Sequence, residues 1–95
     1  SRRIVVLLED HSTIGNFTWS QGQIDAYTTF AARYKDNPYV WLGTENEPDN
    51  VNREEIVQNV RATYDAIRST GNSNIVCILS RGGSYTEDIL TYANY

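Results

Sequence analysis

Ionisable side chains gather at two places in this sequence, and each place follows an apolar run. Ile4-Val5-Val6-Leu7-Leu8 leads into Glu9, Asp10 and His11. Tyr39-Val40-Trp41-Leu42-Gly43-Thr44 leads into Glu45, Asn46, Glu47, Pro48 and Asp49. A carboxyl group beside an imidazole, partly screened from water, is how a protein sets up an acid and a base with separated pKa values. The carboxyl of Glu47 is the candidate proton donor. If the first run stays extended to its end, alternation puts Val5, Leu7, Glu9 and His11 on one face, so that His11 leans over Glu47. Pro48 removes a backbone donor and biases Glu47 towards an extended conformation, which helps hold its side chain at the mouth of the strand. Asn46 offers both a donor and an acceptor to a ligand hydroxyl.

Each of these residues also has a plainer reading. A lone histidine in a loop is ordinarily solvated or hydrogen-bonded in place, and an acidic loop residue ordinarily just faces water. Glu9, Glu45 and Asp49 with His11 would make an oxygen-rich cation site only if their geometry converges. Trp19, in the loop after His11, is placed to line a cleft, whereas Trp41 lies mid-strand and reads as core. Cys77, inside an apolar run, reads as a small buried hydrophobe. Asn16-Phe17-Thr18 fits a glycosylation acceptor, a coincidence without a secretory signal.

The elements that must position this chemistry follow from periodicity. The continuous run from Ile4 to Glu9 predicts a strand covered on both faces, parallel and internal. Ser20 and Gln23 have capping-box spacing, and Ile24, Tyr27, Phe30, Ala31 and Tyr34 recur at three and four residues, predicting an amphipathic helix that Asn37-Pro38 stops. Tyr39 to Thr44 suits a second strand. Asn52 and Glu55 cap a second helix with Ile56, Val60, Tyr64 and Ile67 on one stripe and Gly71 at its close. Asn74 to Leu79 is a third strand, and Thr86 to Ala93 a short helix. Strands separated by helices imply right-handed crossovers and a parallel sheet, with chemistry at the strand ends.

Composition bounds the rest. The 95 residues are 40% hydrophobic and 21% charged, which fits one small α/β domain with a thin core. A net charge of -4 with eight scattered Lys and Arg offers no basic stripe for nucleic acid. Five apolar residues at the start fall far short of the ~18 of a membrane span and do not read as a signal peptide, so no membrane partner is expected and localisation stays open. With Cys77 as the single cysteine, no internal disulfide and no zinc spacing exists, and no cofactor is expected. The abrupt start suggests that a preceding portion has been cut away.

The stretch Val40-Trp41-Leu42-Gly43-Thr44-Glu45-Asn46-Glu47-Pro48 resembles the fourth strand of family 5 glycoside hydrolases, the cellulase and mannanase group, whose Asn-Glu-Pro carries the acid/base. Val5-Val6-Leu7-Leu8-Glu9-Asp10-His11 is similar to that family's third strand, which ends in a sugar-contacting histidine and is followed by a loop with glycine, here Gly15. The resemblance covers most of Ile4 to Leu79. It implies an α/β fold, a partial (β/α)₈ TIM barrel of three parallel strands with flanking helices, forming a single β-α-β-α-β-α unit over residues 1–95. It also implies that Glu47 is the general acid/base, that Asn46 binds the 2-hydroxyl of a β-linked oligosaccharide or polysaccharide, and that His11 lies beside the reacting sugar.

A retaining mechanism needs a second carboxylate roughly 5 Å from the first. In the family the nucleophile arrives on the seventh strand, and this chain corresponds to strands three to five. Glu45 shares a nominal face with Glu47 and Asp49 lies beyond the proline, so neither is placed to substitute. Two readings follow: part of a retaining β-glycoside hydrolase, inactive by itself, or a non-catalytic module that binds sugar weakly at most. Open edges on the first and third strands predict a homodimer or larger assembly.

Overall fold

The computed structural model describes residues 3–11, 20–46 and 52–79. Its order is β1 (Val6–Leu8), α1 (Gln21–Tyr34), β2 (Val40–Gly43), α2 (Arg53–Ser69) and β3 (Val76–Cys77). The short helix expected over residues 86–93 lies outside the described residues.

The strands form one parallel sheet in the order β1-β2-β3. Val6, Leu7 and Leu8 align with Val40, Trp41 and Leu42, while Leu42 and Gly43 align with Val76 and Cys77. The central strand is therefore β2. The expectation that β1 is internal and covered on both faces is corrected: among the described residues it pairs only with β2, and Ile4, Val5, Val6 and Leu7 are all exposed. A continuous apolar run reports the chemistry of a strand built to be covered, but not which neighbours cover it.

Both helices start where side-chain caps replace missing intrahelical partners. Ser20 Oγ accepts from Gln23 N at 3.3 Å, and Asn52 Oδ1 accepts from Glu55 N at 2.9 Å. The first helix buries Tyr27 and Ala31, while Phe30 lies on the exposed flank. The second buries Ile56, Val57, Asn59, Val60, Thr63 and Ile67. Tyr64, expected on that stripe, is exposed instead, with the Arg68 guanidinium 4.8 Å above its ring. At 100° per residue the stripe continues from Val60 through Thr63 to Ile67, which leaves Tyr64 beside it.

The main core sits between the helices and one face of the sheet, where Tyr27, Ala31, Leu42 and Ile67 pack together with Leu8 and Val76 against them. Trp41, expected in the core, alternates with Leu42 and is only half-buried. Cys77 is likewise half-buried rather than buried, a free thiol.

The ends of the strands away from the chemistry are tied by amides. Asn72 is buried and donates from Nδ2 to Ala31 O at 3.0 Å, while its Oδ1 accepts from Asn74 N at 2.8 Å. Asn74 Nδ2 lies within hydrogen-bonding distance of three carbonyls, those of Tyr34, Asn37 and Val40. The bonds to Ala31 and Tyr34 satisfy carbonyls in the last turn of α1. Gly71, at φ 85°, makes the left-handed turn that lets the chain leave α2 for this junction.

Candidate functional site at the strand ends

Ladder bonding continues past the ends of the assigned strands. Asn46 N donates to Asp10 O at 2.8 Å, and Thr44 N donates to Cys77 O at 2.9 Å. Thr44 is buried, and its Oγ1 accepts from Leu79 N at 2.9 Å. The chain from Thr44 to Asn46 is thus held from both sides, and Asp10, His11 and Asn46 come to one rim. Glu47 is the next residue; together with Trp19, Pro48 and Asp49 it lies outside the described residues, as does the expected approach of His11 to it.

Alternation along β1 divides the rim into two groups. On the face away from the helices stand Leu7, Glu9 and His11, with His11 Nε2 hydrogen-bonded to Glu9 Oε1. The Glu9 side chain lies over Gly43: a Cβ added there would be 3.1 Å from Glu9 Cβ and 3.3 Å from Leu7 Cδ1. Glycine at this position gives Glu9, and through it His11, room to lie across the end of β2. His11 remains half-exposed, so its imidazole is available to a ligand.

The helix-facing group is a buried polar network. Gln23 Nε2 donates to Asp10 Oδ2 at 2.8 Å and makes a longer contact of 3.4 Å with Glu45 Oε2, while Gln23 Oε1 accepts from Asn59 Nδ2 at 2.8 Å. Tyr27 donates its hydroxyl hydrogen to Gly43 O at 2.7 Å and takes a hydrogen bond from the Asp10 backbone, so one hydroxyl joins the two strand ends. Burial, with the nearby carboxylates adding to it, raises the Tyr27 pKa well above the usual phenol value. Glu45 is 2% exposed. Burial first, and the charge of Asp10 second, push its pKa up to about 7, against which the Gln23 amide works in the opposite direction.

Strict alternation would put Glu45 on the Gly43 face, the nominal face assigned to Glu47, but its carboxyl instead meets Gln23 of α1. The regular strand ends at Gly43, and Asn46 lies in a bend, so period two no longer governs these side chains. Glu45 and Glu9 consequently belong to different groups, and among the described residues no three His, Cys, Asp or Glu side chains are placed to hold a metal ion.

Gln23 and Asn59 were not legible as site residues. Gln23 has the spacing of a capping residue, yet its side chain faces the network instead of Ser20. Asn59 carried a usable signal, being a polar residue on the buried stripe between Ile56 and Thr63.

The family model described as Cellulase (glycosyl hydrolase family 5) matches residues 2–94. The chain belongs to this family. Two solved structures share its fold. XacCel5A, solved in complex with cellopentaose, is 25% identical with a TM-score of 0.65, over 76% of this chain and 26% of that one. The endoglucanase Cel5A from the hyperthermophilic Thermotoga maritima is 20% identical with a TM-score of 0.70, over 90% of this chain and 30% of that one. This family 5 chain therefore spans about a quarter to a third of the length of the structures it matches. Its parallel strands and flanking helices are a part of their (β/α)₈ barrel, and in such barrels chemistry is built at the C-terminal ends of the strands, where His11 and Asn46 lie.

Proposed function

We infer that these residues form one wall of a β-glucan-cleaving site, with Glu47 as the acid/base of a retaining hydrolysis, Asn46 on the sugar 2-hydroxyl, and His11 and Trp19 as further sugar contacts. The observation that carries this reading is the bond from Asn46 N to Asp10 O. It brings the end of β2, one residue before Glu47, beside the end of β1 with its exposed imidazole. Family membership supplies the reaction class, and the cellopentaose bound by XacCel5A supports a β-linked glucan over other glycans.

Retaining hydrolysis uses two carboxyl groups, one protonating the glycosidic oxygen and the other forming a glycosyl-enzyme intermediate. Glu47 fits the first role. Neither neighbouring acid fits the second: Glu45 is buried against α1, and Glu9 is bonded to His11. The nucleophile in this reading is not among these 95 residues, and the isolated chain binds without turning over.

The test is a titration of the 95-residue chain with cellopentaose, followed by backbone ¹⁵N–¹H resonances, beside Asn46→Ala and Glu47→Gln. Amide shifts centred on His11, Asn46 and Glu47, weakened in Asn46→Ala, are expected. An absence of shifts at millimolar ligand, or shifts confined to the opposite end of the sheet, would overturn the reading. Hydrolysis of an aryl β-cellobioside, run alongside, should be absent; turnover that disappears in Glu47→Gln would show that an assembly supplies the second carboxylate and would refute only the claim of inactivity.

A further inference from the structure

We propose that Glu45 is a positioning residue whose proton fixes the strand ends: as a neutral acid linked through Gln23 to Asp10 it holds the end of β2 against α1 and β1, and its ionisation loosens the segment that ends in Asn46. Geometry carries the argument. The amide nitrogen of Gln23 serves two carboxyl groups, at 2.8 Å to Asp10 and 3.4 Å to Glu45, and the Gln23 oxygen is occupied by Asn59. One amide cannot neutralise two carboxylates, and the closer bond goes to Asp10. Among the described residues, Glu45 Oε1 is buried with no hydrogen-bond partner. An anionic oxygen in that position would be both desolvated and uncompensated, whereas the neutral acid carries no charge to solvate.

The groups packed around Glu45 reinforce this assignment. From the end of β1 comes Asp10, an acid whose charge opposes a second negative charge. From α1 come Gln23, which is neutral, and Tyr27, whose hydroxyl burial keeps protonated. From α2 the cluster is reached through Asn59, also neutral. Glu9 and His11 lie on the other face, engaged with one another. The rise of the Glu45 pKa to about 7 is what this arrangement should produce.

Because Asn46 follows Glu45 directly and its own N–H bonds to Asp10 O, both partners of that backbone bond adjoin the carboxyl pair. Ionisation of Glu45 beside Asp10 pushes the two strand ends apart at the bond that aligns the rim. The inference stands on the strand-end geometry and does not depend on Glu47 being an acid/base.

The experiment is a carboxyl ¹³C titration of the intact chain, with the ¹⁵N–¹H shifts of Gly43 and Asn46 followed in parallel. The Glu45 carboxyl should titrate near neutrality, with the Gly43 and Asn46 amides moving at the same midpoint. Asp10→Asn should lower that midpoint by removing the like charge, and Glu45→Gln should abolish the amide transition while leaving the fold intact. Titration of Glu45 in the ordinary carboxylate range would overturn the proposal, as would Gly43 and Asn46 amides that stay still while Glu45 ionises. Both readings come from the wild-type chain and Asp10→Asn, so they hold even if Glu45→Gln does not fold, and neither uses a sugar, so they are separable from the test of glucan binding.

Discussion

At the scale of single residues, two carboxyl groups one position either side of Asn46 have different tasks. Glu47 is the acid/base of the proposed function, while Glu45 is turned into the protein and held by Gln23. Burial of an acid beside another acid has a thermodynamic signature of known sign. The folded-state pKa of about 7 exceeds the ordinary carboxyl value of 4.5, so between these limits the folded chain binds more protons than the unfolded one. The contribution is fully present below the unfolded value and is lost as pH rises through the folded value. The unfolding free energy from urea titrations should therefore fall from about pH 5 to about pH 8, by an amount on the order of 1–3 kcal/mol, and Glu45→Gln should flatten that part of the profile. A profile that is flat in the wild type, or unchanged by Glu45→Gln, would remove Glu45 as the group responsible. That Glu9, His11 and Asn46 gather at the strand ends was legible in the sequence because their types follow apolar runs. The role of Glu45 was not, because the pairing with Gln23 joins positions 22 residues apart, and period-two alternation fails once the strand has ended.

At the scale of elements, the βαβαβ order was readable because apolar runs alternate with helical periodicity and each helix has a recognisable cap. Strand lengths were overestimated: Ile4 to Glu9 contracts to Val6–Leu8, and Asn74 to Leu79 to Val76–Cys77. An apolar run measures what is suited to a sheet, whereas a strand exists only where a neighbour offers backbone partners. The buried amides between α2 and β3 were equally hidden, since Asn72 and Asn74 read locally as ordinary turn residues. Yet Asn72 reaches 41 positions back along the chain to the Ala31 carbonyl. Asn72→Ala removes that bond and the acceptor for Asn74 N, leaving buried groups unmatched at about 1–3 kcal/mol. Ser73→Ala, at the exposed neighbouring position, should stay within about 0.5 kcal/mol of the wild type. Equal urea midpoints for the two variants would show that the junction is held by the apolar core alone.

At the scale of the whole molecule, the sheet is covered on its helix side and open elsewhere among the described residues. Among the described residues only β2 has strand neighbours on both sides, and the run that leads into β1 has four consecutive exposed apolar residues, Ile4 to Leu7. Ile75 and Ile78 are exposed on the flanks of β3. A strand edge combines unpaired backbone groups with apolar side chains, and both are relieved when another strand pairs with it. The copy available in a purified sample is a second molecule of the same chain. Pairing that uses one surface on both molecules closes as a dimer, whereas β1 of one copy against β3 of the next propagates. We therefore expect sedimentation at micromolar concentration to show a dimer or larger species. Val6→Lys should shift that species towards monomer, because a charge on the edge strand is costly to desolvate in a new interface. The rim of His11 and Asn46 lies beyond the β1 residues used in such pairing, so Val6→Lys should leave the cellopentaose-induced shifts in place. A wild-type chain that sediments as a monomer would mean that the exposed strand is protected within a single molecule, and self-association would then be excluded as its function.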